Sequence, residues 1–446
     1  MLFRSRTCGI RQGAAAAVAK PRGQERGNIT AKATDPISGA VLSGTIDSRY
    51  RERARRVIPN GMYGHLSAAR LGDGYPQFFA RGKGARVWDI DGREYIDLMC
   101  SYGPILLGHA HPEVDAVAAE TATRGDLLNG PGPEMVELAE VLVDQVAHAD
   151  WVMFAKNGTD ATTISLMVAR AETGRNKVLA ATGAYHGSAP WATIRMDGVA
   201  PEERANLHYY EYNDAASVEL AIEQAGAANV AAIITSPFKH NAGFDQEDVD
   251  PAFARRLREL CDELGAALVM DEVRGGFRLN HGGSWEPLGV DPDLSGWSKA
   301  IANGYPLAAV LGRGRYAEAA SRIFVTGSFW FQAVPMAAAV ATINALRDED
   351  AVAVMERVGN RLRDEFDQLA DEIGVPIRQT GPVQMPNLSF PDDQNFAKAI
   401  AFCTTMLERG VIVHPRHNWF LSAAHTDDDV DRFLDAAQHG LEAVLA

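Results

Sequence analysis

Cysteine and lysine are both scarce in this chain of 446 residues, and each scarcity narrows what it can be. The four cysteines, Cys8, Cys100, Cys261 and Cys403, stand far apart with no CxxC pair. That argues against a disulfide framework and a zinc site, and for a reduced cytoplasm. No apolar run approaches the length of a membrane span. There is no P-loop, and Gly312-Arg-Gly314 lacks the third glycine and the acidic residue of a dinucleotide fingerprint. Basic residues are outnumbered, 43 to 58, and the formal net charge of −15 speaks against nucleic acid or an anionic membrane as principal partner. What is plentiful is apolar surface, 46% of residues, enough to bury a large core, most simply in two subdomains.

The start differs from the rest. It is rich in Arg, Ala and Gly up to about Ile37, with no acidic residue before Glu25. A basic, acid-poor start could be a transit peptide, but its apolar face is poor. Residues 1–42 therefore read as a disordered or spurious extension, with the folded part beginning near Ser43 to Arg49. No repeat or low-complexity tract follows. From Trp151 the pattern alternates: a short apolar strand (151–154), a helix from Asp160 to Glu172 stopped by Gly174, strands at 178–181 and 230–235, a helix opened by Pro251 and ended by Gly265, and the strand 266–270 running into Asp271. Strands apolar on both faces, alternating with amphipathic helices, predict an α/β fold with a mainly parallel sheet. Gly84 to Asp97 predicts a hairpin turning at Asp91-Gly92. After Pro335 a helix to about Arg347, amphipathic segments at 355–373 and 396–409, and short strands at 387–390 and 411–414 complete the chain. The expected division is a large domain over 101–340 and a smaller α+β domain built from 43–100 and 341–446.

Lysine is the more telling shortage. There are eight, and Lys299 sits in an apolar-flanked turn, 28 residues beyond Asp271. An amine held among apolar neighbours loses charge stabilisation and becomes a nucleophile toward an aldehyde. An aspartate at a strand end can keep a pyridine nitrogen protonated. Together the two suit pyridoxal phosphate (PLP) used as an electron sink. The bland alternative is a surface lysine and a capping aspartate; the joint context favours the cofactor. Asn157-Gly158-Thr159, between strand and helix, suits a phosphate monoester, although each residue is also an ordinary N-cap. Thr326-Gly327-Ser328 is a second hydroxyl-bearing turn with the same competing reading. In Tyr185-His186-Gly187 the aromatic could stack on a pyridine face while Val273 packs the other, against a plain core role. His109-Ala-His111 and His414-Pro-Arg-His417 are broken by proline and lack a third ligand cluster, so no metal site is expected.

These motifs stand in an order that resembles a known family. Asn-Gly-Thr-Asp-Ala (157–161), Tyr-His-Gly (185–187), Asp-Glu-Val-Arg-Gly-Gly-Phe-Arg (271–278), Ser-Lys-Ala-Ile-Ala-Asn-Gly-Tyr-Pro (298–306) and Leu-Ser-Ala-Ala-His-Thr (421–426) are similar to the class III, fold-type I PLP aminotransferases, in the branch of glutamate-1-semialdehyde aminomutase. Gly-Pro-Ile-Leu-Leu-Gly-His-Ala-His-Pro (103–112) fits as well. Within the branch, residues 62–65, 326–331 and 414–422 resemble the bacterial fumonisin aminotransferases, which deaminate a long-chain amino polyol with pyruvate as acceptor. Asn418 and Trp419 stand where the semialdehyde aminomutases carry a substrate-facing glutamate.

The resemblance implies a seven-stranded-type sheet, Lys299 as the residue that carries the cofactor and Asp271 at the pyridine nitrogen. It implies Tyr185 and Val273 on the two ring faces, with Asn157, Gly158, Thr159 and His186 around the cofactor. Thr326 would reach the phosphate of a neighbouring subunit, hence a homodimer with interfacial sites. Substrates would be an amine and a 2-oxo acid, exchanged in ping-pong fashion. Tyr63, Trp330 and Trp419 are candidate substrate contacts, with core packing as their alternative. Arg70 is the candidate carboxylate binder, against a solvated surface arginine. Two other readings stand beside transamination: an aminomutase, and a non-catalytic PLP-fold binding protein.

Overall fold

In the computed structural model, which describes residues 45–72, 74–241 and 243–445, strands form along the whole described chain. The extension expected at residues 1–42 lies outside these residues. Three strands come first, β1 (Phe79–Lys83), β2 (Arg86–Asp89) and β3 (Glu94–Asp97). Seven follow: β4 (Trp151–Ala155), β5 (Lys177–Ala181), β6 (Leu207–Tyr210), β7 (Val230–Thr235), β8 (Ala267–Asp271), β9 (Leu294–Trp297) and β10 (Ala308–Gly312). Three short ones close the series, β11 (Arg378–Thr380), β12 (Asn387–Ser389) and β13 (Val411–Ile412).

The seven middle strands make one sheet in the order β4-β10-β9-β8-β7-β5-β6. Neighbours from β9 to β6 run parallel, while β10 is antiparallel to both β9 and β4. Every residue of β7, β8 and β10 is buried, so both faces need cover. The period-two alternation shows how it is supplied. Ala267 and Val269 pack beneath helix Gly158–Thr173, whereas Leu268 and Met270 point to the opposite face, against helices Ala215–Ala225 and Pro251–Leu264. On β10, Ala308 and Val310 join the first layer, and Ala309 and Leu311 face a third cluster built on helices Pro112–Ala122, Glu134–Gln145 and Ala333–Asp348. A mixed α/β fold with a seven-stranded, parallel-rich sheet is therefore present.

The expected hairpin forms between β2 and β3, with Gly92 at φ 93° in its turn. β13 pairs parallel with β3, Val411 opposite Ile96, so a four-stranded sheet of order β1-β2-β3-β13 draws on both ends of the described chain. Cys100, Cys261 and Cys403 are buried and unpaired. No helix among the described residues is long and apolar enough to cross a membrane.

Candidate active site

The carboxyl ends of β4, β8 and β9 open onto one cavity of about 450 Å³, within the roughly 300–1,000 Å³ common for small-molecule sites. Each end contributes a different group. At β4 the chain turns through Lys156 and Asn157 into helix Gly158–Thr173. Asn157 caps that helix reciprocally: its Oδ1 accepts the Asp160 N–H at 3.2 Å, and Asp160 Oδ2 accepts the Asn157 N–H at 3.1 Å. The Gly158 and Thr159 N–H groups belong to the helix's first turn, which has no intrahelical partners to offer them. Both residues line the cavity, so these amides stand ready for an anion. A Cβ at 158 would lie 2.7 Å from Val273 Cγ1, so any larger residue there forces Val273 to shift.

At the end of β8, Asp271 is 5% exposed. Its Oδ2 lies 2.7 Å from His186 Nδ1 and its Oδ1 accepts the Val273 N–H at 3.1 Å. His186 is fixed in turn by Thr162, which donates to its carbonyl at 2.7 Å, and by stacking on Trp191 with ring centroids 6.4 Å apart. A carboxylate has about four lone-pair sites, so Asp271 keeps accepting capacity toward the cavity.

Beyond β9, Lys299 opens a short 3₁₀ turn with its backbone at φ 46°, a left-handed conformation a side-chain-bearing residue rarely adopts. The turn is pinned by Asn303, whose Oδ1 accepts the Leu106 and Leu107 N–H groups at 2.9 Å and whose Nδ2 donates to Gly108. Lys299 Nζ donates to the Tyr102 carbonyl at 3.0 Å. Burial, then the neighbouring Arg274 guanidinium, brings its pKa down to about 7, with Asp271 opposing. A large share of the amine is therefore neutral, and nucleophilic, near neutral pH.

Of the expected cofactor contacts, the structure brings Asn157, Gly158, Thr159, Tyr185, His186, Asp271, Val273 and Lys299 to this one cavity. The Asn157 side chain is occupied in capping. Thr326 is exposed outside the cavity of its own chain. The four expected substrate contacts do not line the cavity. Trp419 is withdrawn from that role: at 1% exposure it stacks on Phe402 at 6.3 Å within the core. Trp330 packs partly buried against the core beneath helix Gly158–Thr173. Tyr63, 71% exposed, and Arg70, also exposed, sit on short turns and are not among its lining residues.

Several residues were not singled out from sequence. Arg278, inside the 271–278 motif, is fully buried and donates to Gly103 and Ile105 carbonyls at 2.7 and 2.8 Å and to that of Leu421. It thus ties three of the recognised motifs together. Arg274 lines the cavity, and so does Lys156, whose buried Nζ has no partner among the described residues. The histidines weighed as metal ligands have other uses. His109 pairs with Asp97 at 2.7 Å and His111 with Glu349 at 2.9 Å. His414, His417 and His65 surround the Tyr102 ring at centroid distances of 6.0, 5.2 and 4.8 Å. Burial lowers the pKa of all three, His414 to about 4, so they form a neutral wall behind the lysine. Their signature in sequence was weak, since a histidine near a proline reads equally as a cap.

Residues 68–439 match the family model described as aminotransferase class-III. The chain belongs to that family and is a PLP-dependent aminotransferase of fold type I. It is 48% identical to the aminopentol aminotransferase of Sphingopyxis macrogoltabida over 405 residues, 91% of this chain and 96% of that one. The structure of the FumI protein of Sphingopyxis sp. MTA144 in its PLP internal aldimine form superposes with a TM-score of 0.89 at 48% identity, over 90% of this chain and 97% of that one. A glutamate-1-semialdehyde 2,1-aminomutase of Desulfitobacterium hafniense is more distant, 33% identical over 90% of this chain and 100% of its own. The cavity fits PLP: amides at a helix start for the phosphate, a buried carboxylate for the ring nitrogen, and an amine of lowered pKa for the aldehyde.

Proposed function

We propose that this aminotransferase moves an amino group from a long-chain or otherwise bulky amine, of the amino polyol kind, to pyruvate or a related 2-oxo acid. The observation that carries the reading is 48% identity, nearly end to end, to a protein named for aminopentol. The glutamate-1-semialdehyde aminomutases of Desulfitobacterium hafniense and Persephonella marina share 33% and 31%. Bound PLP supplies an electron sink for the carbanion at the substrate carbon. With the cofactor bound, the Lys299 amine would serve as general base for the proton on the substrate carbon and, once protonated, as general acid toward the cofactor side, so that the proton changes carbons. Asp271 would keep the ring nitrogen protonated, and His186, 2.7 Å from its carboxylate, holds Asp271 in the orientation to do so. The amides of Gly158 and Thr159 would hold the phosphate, and Val273 and Tyr185, which line the same cavity, would pack on the ring.

The working unit in this reading is a homodimer in which Thr326 reaches the neighbour's phosphate. The exposure of Phe324 (88%) and Phe329 (59%) on the same loop supports it, since large apolar groups so exposed call for cover. The division into a large domain (101–340) and a smaller one from both chain ends belongs to the same reading.

Half-reaction spectroscopy against a panel of amines tests the function. An amino polyol is expected to convert the bound cofactor to its pyridoxamine form, and pyruvate to restore it. Free ketone should accumulate only when an oxo acid is supplied. An isomerised amine without net transfer would establish the aminomutase instead, and a protein that gains no absorbance with PLP would revive the reading as a non-catalytic binding module.

A further inference from the structure

Arg274 leaves the same strand end that places Asp271 and Val273, and it lines the cavity. Its only hydrogen-bond partner among the described residues is neutral: Nη1 donates to the side-chain oxygen of Asn418. The Phe420 ring lies 5.8 Å from the guanidinium carbon. No described carboxylate comes within 4.0 Å of it. Asp271, the anion that acts on it most, is already engaged by His186. A guanidinium has five donors in a rigid fork matched to a carboxylate, and here most are unused. Desolvation makes such a cation costly unless something anionic arrives; burial indeed lowers its pKa to about 10.

Position separates it from the other cation in the wall. Lys156 immediately precedes the helix start, where a phosphate would sit. Arg274 instead follows Asp271 by three residues beyond the end of β8 and lines the cavity with Lys299, on the side of the buried acid and the amine. The neutral partner has a consequence. A carboxylate at position 418 would neutralise the guanidinium and compete with a substrate anion; an amide holds it in place and leaves its charge free.

We propose that Arg274 binds the carboxylate of the 2-oxo acid acceptor, and that Asn418 holds the guanidinium while a carboxylate-free amine occupies the site. This rests on the transaminase reading and assigns the acceptor role to Arg274 rather than Arg70.

The test uses holoenzyme converted to the pyridoxamine form and follows its return to the PLP spectrum with pyruvate or with propanal, which lacks the carboxylate. In Arg274→Met the pyruvate concentration for half-maximal rate is expected to rise at least about thirty-fold, the loss of one charge-assisted pair. Because Arg274 also acts on the Lys299 amine, the propanal half-reaction is the reference that carries any such shared change, and the rise for pyruvate should exceed that for propanal by at least about ten-fold, since propanal offers no carboxylate to the pair. Arg274→Lys should recover part of the loss. Asn418→Asp keeps the side-chain size and should raise the pyruvate requirement by competition, which carries the test if Arg274→Met does not fold. Unchanged pyruvate saturation in these variants, or an equal fall in all half-reactions, overturns the assignment. Wild-type enzyme that moves nitrogen from no amine to pyruvate would instead overturn the transaminase reading itself.

Discussion

A lysine whose folded pKa lies near 7, against about 10.4 unfolded, gives two measurable consequences at the residue scale. Capture of added PLP by the apo protein, followed by absorbance, should speed up as pH rises through about 7 and then level off, because the neutral amine attacks. The sign for stability follows from linkage. A depressed lysine pKa penalises the folded state fully below about pH 7, and the penalty fades as pH climbs toward the unfolded value. Apo Lys299→Met should therefore gain stability over wild type in urea titrations at pH 6 and lose that gain by pH 10, while having no transaminase turnover. Asp271→Asn should fold, lose the charge that favours the protonated ring nitrogen, and lower turnover by about 10²–10³-fold, the scale of one pre-placed electrostatic contact. Lys299 and Asp271 were legible in sequence because each task admits few residue types, and an apolar-flanked lysine or a strand-end aspartate is conspicuous. Trp419 was not: an indole reads alike in a pocket and in a core, and only its stacking on Phe402 decides.

At the scale of elements, the site depends on two close fits. Gly158→Ala would drive a methyl to 2.7 Å from Val273, which must shift; the expected cost is about 1–3 kcal/mol of thermal stability, with faster loss of PLP on dialysis. Arg278 joins the 271–278 motif to carbonyls of 103, 105 and 421. Arg278→Leu leaves three buried acceptors unpaired, at about 1–3 kcal/mol each, and should lower the urea midpoint of the apo protein by a loss of at least about 3 kcal/mol. Strands such as Val230–Thr235 and Ala267–Asp271 were legible because burial on both faces demands an unbroken apolar run. β6 and β9 were harder: Leu-His-Tyr-Tyr and Leu-Ser-Gly-Trp are four residues each and mix polar with apolar, and neighbouring strands rather than their own pattern make them strands. Helix Pro112–Ala122 is likewise weakly amphipathic, and its packing on helix Ala333–Asp348 was not evident before folding.

For the molecule as a whole, light scattering should give twice the monomer mass, and mixing inactive Lys299→Ala with inactive Thr326→Tyr protein should restore activity to some sites if each subunit completes its neighbour's. Mixtures that remain inactive after subunit exchange would remove Thr326 from the partner's site. The sequence by itself determined the chemistry and the layering: one activated lysine, one strand-end acid, a glycine-hydroxyl turn, and apolar strands between amphipathic helices. Those follow from local composition and spacing, which covalent order alone sets. Only the tertiary structure decided which side chains face the cavity, that β10 runs against its neighbours, and that half-buried Arg274 meets an amide instead of a carboxylate. Such facts depend on contacts between separate segments, Arg274 and Asn418 lying 144 residues apart, and no local pattern encodes which of two equally apolar, or equally charged, neighbours a side chain will meet.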